Sequence, residues 1–298
     1  MLNLIRACRE RDWHSLSAAD YAAVWARFGG SLMTHPDVVE RLSAMAGISV
    51  RYLGWFEGDE PVAAIPTWGR YLALSRDVLK RAGKRHLFDL GNAEVILPAR
   101  PDSGAVLRHR SSYLGEPNHN SLLGLRLQKE SLALCRAPEE FSKKFRYNQR
   151  RELRLLEEAG GTLRPVAELS AAELAAIYTD LFERRWGFDV PGKGSLEEVF
   201  GLLREFLSGS LLMLEGAPIA VQVVYRVESP EWISAEYING GVDPQSRDFS
   251  PGSVLSFVNT QAAWEDARAR GKALRYSFGR ADVEYKDRWC NKVPVFRV

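Results

Sequence analysis

The sequence predicts an α/β fold of mixed, mostly antiparallel sheets flanked by helices, divided into two domains at residues 1–137 and 138–298. Capped helical segments alternate with β-rich runs along the chain, and at least two pairs of those runs are closed by Gly-Pro-containing turns. The length also exceeds the roughly 150 residues of one typical domain.

Taken in order, Ser17 caps a short helix to Phe28 whose Ala19, Ala22, Ala23 and Ala26 supply propensity. A second helix follows Pro36, from Asp37 to Met45, and stops at Gly47. The β-rich runs Val50–Phe56 and Val62–Trp68 then flank the turn Glu57-Gly58-Asp59-Glu60-Pro61. A basic helix is expected to start near Ser75, followed by strands and Gly/Pro/Asn/His-rich loops from Gly91 to Leu127. In the second half the order is a cationic helix, a short strand Thr162–Val166, and a helix from Ala171 to Trp186 with the capping box Ser170/Glu173. Another helix runs from Ser195 to Leu207. A hairpin Leu211–Val227 turns at Glu215-Gly216-Ala217-Pro218, and a strand Trp232–Ile238 follows. After a loop, Ser250 is expected to cap a helix from Pro251 to Arg270, closed by Gly271. Strands Ala273–Phe278 and Val293–Val298 end the chain.

The cationic helix is the strongest local signal. Between Lys143 and Arg154 stand six Lys or Arg (Lys143, Lys144, Arg146, Arg150, Arg151, Arg154) and one acid, Glu152, a local charge of +5 on a chain whose formal total is +2. At 3.6 residues per turn Lys143, Arg146, Arg150 and Arg154 share one stripe, and Phe145, Gln149, Leu153 and Leu156 another. One side is suited to a core and the other to an anion such as membrane lipid or RNA phosphate. Glu157 and Glu158 are spaced to pair with Arg154.

Composition narrows the function. A chain 46% hydrophobic and 26% charged buries a large core. Its N-terminus carries charges from Arg6 onward, and its most apolar stretch, Leu211–Val227, is broken by Glu215, Pro218 and Arg226, so neither a secretory signal nor a spanning helix is expected. Cys8, Cys135 and Cys290 are too far apart for a metal motif or a disulfide framework and suit a reducing, cytoplasmic setting. Gly-x-Ser-x-Gly, Gly-x-x-x-x-Gly-Lys-Ser/Thr and His-Glu-x-x-His are absent, which leaves hydrolase, nucleotidase and metalloprotease readings unsupported. DNA binding is not expected: no recognition-helix motif occurs and total charge is near zero.

The order of helices, antiparallel hairpin, third strand, Gly-containing loop, helix and strand is that of an N-acetyltransferase-like fold, so tandem domains of this kind are expected. The segments FSKKFRYNQRRELRLLEEAGG, YTDLFERRWG (Tyr178–Gly187), FSPGSV (Phe249–Val254) and YKDRW (Tyr285–Trp289) resemble the GNAT and FemAB-like acetyltransferases. From His35-Pro36 to the last residue the chain resembles the Mig-14 family of Gram-negative bacteria. That resemblance implies a cytoplasmic protein, peripheral at the inner membrane, that contributes to virulence through resistance to cationic antimicrobial peptides.

The candidate donor site is the loop entering the last long helix. Helix N-termini expose unpaired N–H groups and partial positive charge, so Ser250, Gly252 and Ser253, with Arg247 adding a cation, are expected to hold the pyrophosphate of a coenzyme A thioester. GNAT enzymes carry a fuller Gln/Arg-x-x-Gly-x-Gly/Ala run, and here one glycine remains. For catalysis the expectation is Glu236 or Asp282 as base and Tyr285 as acid, on two loops opening at one sheet edge. Arg185 and Trp186 are expected to anchor a helix end, and a histidine base would have to be His119, reaching across an interdomain groove lined by the cationic helix and the Ser250 loop. Three functions follow: an acyl- or aminoacyltransferase at the cytoplasmic membrane face, a non-enzymatic binder of anionic lipid or transfer RNA, and a cofactor-less adaptor.

Overall fold

The computed structural model describes residues 2–298. Its N-terminal half is built on a four-stranded antiparallel sheet, in the order β1 (Trp13–Leu16), β2 (Arg51–Glu57), β3 (Glu60–Trp68) and β4 (Tyr71–Leu72). Helices α1 (Leu2–Arg9), α2 (Ala18–Phe28) and α3 (Pro36–Ala46) accompany it. The Ser17/Asp20 capping box starts α2, and Gly47, at φ 61°, ends α3 in the left-handed conformation that glycine adopts without penalty. Beyond the sheet come α4 (Arg76–Arg81), α5 (Glu116–His119) and the parallel pair β5 (Ala105–Val106) and β6 (Leu122–Leu123).

The second half carries an eight-stranded sheet. Its elements are β7 (Arg126–Cys135), α6 (Lys143–Glu158), β8 (Thr162–Pro165), α7 (Ala171–Trp186), α8 (Leu196–Leu202), β9 (Leu207–Ser208), β10 (Ser210–Leu214), β11 (Ala217–Glu228), β12 (Trp232–Val242), α9 (Pro251–Ala269), β13 (Ala273–Arg280) and β14 (Cys290–Arg297). The strand order is β14-β7-β13-β12-β11-β10-β8, with β9 also on β11. The expected junction at Ala137-Pro138 falls between β7 and α6, and β7 itself lies in the large sheet between β13 and β14. In that register Cys135 and Cys290 stand opposite each other as free thiols.

Two local expectations differ. The single helix expected from Ser195 to Leu207 is a short α8 followed by a 3-10 turn and β9, because Leu207 and Ser208 pair with Tyr225 and Val224. Ser250 does not cap α9: its backbone sits at φ 46°, ψ 46°, and its side chain makes no cap hydrogen bond.

One apolar core joins the halves. Val24, Trp25, Leu42 and Ala64 pack in the same cluster as Tyr178, Leu181, Val223 and Tyr225. Helix α6 lies as its stripe requires: Leu156 and Gln149 are buried, Phe145 stacks on Phe141 at 4.8 Å, and Lys143, Lys144, Arg150 and Arg151 are exposed. Among the described residues no helix is long and apolar enough to cross a membrane.

Candidate active site

The only long parallel pairing in the large sheet, β12 with β13, is where the sheet opens. Their register runs from Trp232↔Ala273 to Glu236↔Ser277 and stops there, although β12 continues to Val242 and β13 to Arg280. A parallel pair needs a crossover, which α9 supplies, and a bulge between Val223 and Val224 of β11 shifts the register opposite Tyr237–Asn239. The strands therefore form a fork, with the first turn of α9 set against β12.

A cleft of about 180 Å3 lies beside this fork, over β12 and the first turn of α9, lined by Arg185, Tyr237, Gly240, Gly252, Ser253 and Tyr285, with Arg288 and Trp289 closing it. Its floor is tied together by hydrogen bonds. Asn259 donates to Gln222 Oε1 (2.8 Å), Gln222 Nε2 to Ser256 Oγ (2.9 Å), and Ser256 Oγ to the Gly252 carbonyl (3.0 Å). All three side chains are buried, so the network fixes α9 on β11 and holds the direction of its N-terminus. The Ser253 and Val254 N–H groups bond the Ser250 carbonyl at 2.8 and 3.1 Å, and the Gly252 N–H has no partner among the described residues. Gly240 must be glycine: a Cβ there would stand 2.6 Å from the Val221 carbonyl and 2.8 Å from the Tyr237 hydroxyl.

The cleft's titratable groups are two phenols and two guanidiniums. Burial, the larger cause, raises Tyr237 against the opposing pull of Arg185; burial and the neighbouring Tyr237 raise Tyr285. Both phenols therefore stay protonated at neutral pH. Arg185 reaches from the end of α7 to the Gly240 carbonyl at 3.5 Å, with its guanidinium 4.7 Å from the Trp186 ring centre.

Of the residues singled out from sequence, Gly252, Ser253 and Tyr285 meet in this cleft, and Arg185 joins them. Arg247 and Ser250 do not line it; Arg247 is exposed on the preceding 3-10 segment. Asp282 is held outside by Arg280 at 2.6 Å and Lys286 at 3.3 Å. Glu236 projects from the strand face opposite to Tyr237, is 1% exposed, and accepts the Glu94 N–H at 3.0 Å. Burial, then the charge of Glu94, pushes its carboxyl well above the usual range. Glu94 itself is clamped by Arg275 at 2.6 and 2.8 Å. His119 is engaged elsewhere, 4.4 Å from the Phe296 ring. This cleft does not lie between the two halves, since every residue lining it falls between Arg185 and Trp289. Along α6, Arg146 turns back to the Pro138 carbonyl (3.0 Å) and Arg154 pairs with Glu158 (3.6 Å), whereas Lys143, Lys144, Arg150 and Arg151 have no acidic partner among the described residues.

Sequence reasoning passed over Gly240 and Arg288. Arg288 stands inside YKDRW, where a cation between aromatics was available as a signal; Gly240, in Asn239-Gly240-Gly241, was read as loop because glycines are uncommon inside strands.

A family model described as Mig-14 matches residues 35–298. Among solved structures, FemX is 13% identical, with 96% of each chain covered and a TM-score of 0.56. L-PGS from Bacillus licheniformis is 12% identical over 95% of this chain and 92% of that one, with a TM-score of 0.47. A tandem GNAT protein from the clavulanic acid biosynthesis pathway is 10% identical over 96% and 97%, at 0.45. No curated protein matches the sequence. The likeness to FemX shows a shared fold.

Proposed function

The chain belongs to the Mig-14 family, and we propose that it is an acyl- or aminoacyltransferase whose donor enters the cleft between Arg185, Tyr237, Gly252 and Tyr285. The observation that carries this reading is the cleft beside the fork, a polar opening over β12 with a helix N-terminus and two protonated phenols turned into it.

The residues fit the reactive end of a carrier. About 180 Å3 is below the ~300–1,000 Å3 of pockets that enclose drug-sized ligands, so a carrier's bulk would lie outside, along the first turn of α9. A coenzyme A thioester, or an aminoacyl ester on transfer RNA, supplies an activated carbonyl. Arg185, Arg288 and the Gly252 N–H offer positive potential to the donor's anionic groups and to charge developing on the carbonyl oxygen. Tyr285 offers its proton to the leaving sulfur or oxygen. No carboxylate lines the cleft among the described residues, so the acceptor amine is expected to arrive neutral.

The proposal sets this reaction at the cytoplasmic face of the inner membrane, modifying an envelope component or peptide so that cationic antimicrobial peptides are resisted. Its support is α6, whose four unpaired cations face solvent while Phe145 and Leu156 anchor the helix. Each cation near an anionic surface contributes about 1 kcal/mol, so R150Q/R151Q is expected to lower partitioning onto anionic vesicles about 30-fold in flotation assays. Equal partitioning onto neutral vesicles would remove the membrane part of the proposal. One observation favours the adaptor reading: a single glycine remains where α9 begins.

Calorimetry with acetyl-coenzyme A and, separately, with aminoacyl-transfer RNA decides between them. Saturable heat with either donor, lost when Gly252→Val fills the α9 entrance, is the expected result. No heat with either at about 1 mM leaves the adaptor.

A further inference from the structure

A hollow of about 690 Å3 opens in the N-terminal half and takes no part in the chemistry above. Its size falls within the ~300–1,000 Å3 of small-molecule sites. Arg108 and Arg110 line it, and three segments gather cations around its Tyr71, with Arg70 and Arg81 beside the ring and off the wall itself. The β3–β4 hairpin turns at Gly69, φ 61°, and sets Arg70 beside Tyr71. The Leu72 N–H to the Arg110 carbonyl (3.1 Å) and the Arg110 N–H to the Arg70 carbonyl (2.9 Å) lock that hairpin to the segment carrying Arg108 and Arg110. Helix α4 then brings Arg81.

The guanidiniums of Arg70, Arg81 and Arg110 thus lie 5.4, 5.1 and 5.9 Å from the centre of the Tyr71 ring. None of the three has a carboxylate within ion-pair distance among the described residues. Arg108 gives its guanidinium to the Arg11 carbonyl at 3.3 Å. Arg76 is committed to Asp89 at 2.8 Å, and Asp77 is an acidic group on the wall. Arg70, Arg81 and Arg110, which have no ion pair among the described residues, repel one another and gain from an anion.

A second observation points to a ligand. The Tyr71 side chain is 5% exposed and lines the cavity; its hydroxyl makes no hydrogen bond within normal distance among the described residues, and against the upward push of burial the neighbouring Arg110 and Arg70 guanidiniums hold it below the usual phenol range. Buried hydroxyls are almost always paired, and an orphan next to a hollow calls for a partner inside it. A phenol hydroxyl and planar guanidinium forks together match an oxyanion with several acceptor oxygens and more than one charge.

We propose that this cavity binds a phosphate ester, its oxygens held by the Tyr71 hydroxyl, Arg108 and Arg110, with Arg70 and Arg81 adding positive potential across the ring. The site stands independently of the transferase reading, since it shares no residue with the fork.

Calorimetry on the full chain tests it, with pyrophosphate and glycerol 3-phosphate as soluble probes and phosphatidylglycerol vesicles as the membrane probe. The expected result is binding of at least one probe with Kd below about 1 mM, weakening as salt is raised. Arg110→Gln should weaken it at least about tenfold, and Tyr71→Phe about tenfold, as loss of a hydrogen bond to a charged group implies. Tyr71→Phe should leave the melting temperature unchanged or higher, because it removes an unpaired hydroxyl and keeps the ring; a structural tyrosine would do the reverse. Lys129→Gln, exposed on β7, should change nothing. Soluble esters binding as well as vesicles identify a free phosphate ester; vesicle binding alone that Arg110→Gln abolishes identifies a lipid headgroup. Binding by no probe, or binding that both Arg110→Gln and Tyr71→Phe leave intact, overturns the proposal.

Discussion

Around the β12–β13 fork, polar groups are paired with one another before any ligand arrives: Asn259 holds Gln222, Gln222 holds Ser256, and Ser256 holds the Gly252 carbonyl. Around Tyr71 the reverse holds, with arginines gathered at a buried phenol whose hydroxyl makes no hydrogen bond within normal distance among the described residues. The first arrangement fixes geometry, which suits a site where reacting atoms must be positioned. The second leaves charge uncompensated, which suits a site whose work is to attract and retain. The difference separates what mutations should do in each place: in the fork they alter rate, and around Tyr71 they alter affinity.

Tyr285→Phe gives the largest expected effect. If the phenol serves the leaving group, kcat for thiol release from acetyl-coenzyme A falls about 10²–10⁴-fold while KM and the melting temperature hold, because Tyr285 is 39% exposed and contributes little to the core. A variant that keeps its rate removes Tyr285 from the chemistry and with it the assignment of roles in the cleft.

The next test is pH, and it reads the N-terminal half. His109 is fully buried between Arg108 and Arg110, and burial, reinforced by Arg9, depresses it from 6.5 to about 4. The folded state therefore binds fewer protons than the unfolded chain. Its contribution is complete above pH 6.5 and is lost as pH falls toward 4, about 3 kcal/mol in all. Urea midpoints across this range should decline for the natural chain and decline less for His109→Gln; His35, also depressed by burial, leaves a residual slope. Parallel curves would mean that His109 titrates freely.

How much of this was legible in the sequence follows from what each feature depends on. Helix starts at Ser17 and Ser170, the hairpins, and the buried stripe of α6 are set by neighbours within a few residues, and spacing revealed them. Gly252, Ser253 and Tyr285 were reachable because the order of elements puts two loops at one sheet edge. The burial of Glu236 away from the cleft was not legible, because the Glu94 segment that covers it lies 142 positions away in sequence. The arginines around Tyr71 come from a hairpin, a helix and a loop that meet only in the fold, so no window of sequence holds them together.

Gly240→Ala sharpens the claim that the fork is rigid. Its added Cβ would meet the Val221 carbonyl, a backbone atom that cannot step aside, so a cost of about 1–3 kcal/mol in denaturant unfolding is expected, with donor binding weakened in the same variant. Phosphate-ester binding at the other hollow should survive. If unfolding and donor affinity are both unaffected, the strands can shift locally and the fork is softer than its hydrogen bonds imply.

The smallest expected effect concerns Glu236, and it has the sign opposite to His109. Its buried carboxyl keeps a proton that the unfolded chain surrenders above about 4.5, so stability is lost as pH rises from that value toward the raised folded one. Glu236→Gln keeps an oxygen to accept the Glu94 N–H and cannot ionise. Relative to the natural chain, the variant should gain stability steadily as pH is raised above 4.5, with thioester cleavage unchanged because the side chain faces away from the cleft. A fall in kcat, with a pH–rate profile that loses its acidic limb in the variant, would mean that the Glu94 segment opens during turnover and that Glu236 takes the acceptor's proton. In that case the fork is served from both faces of the sheet, and the division between a site that positions and a site that attracts no longer follows the two halves of the chain.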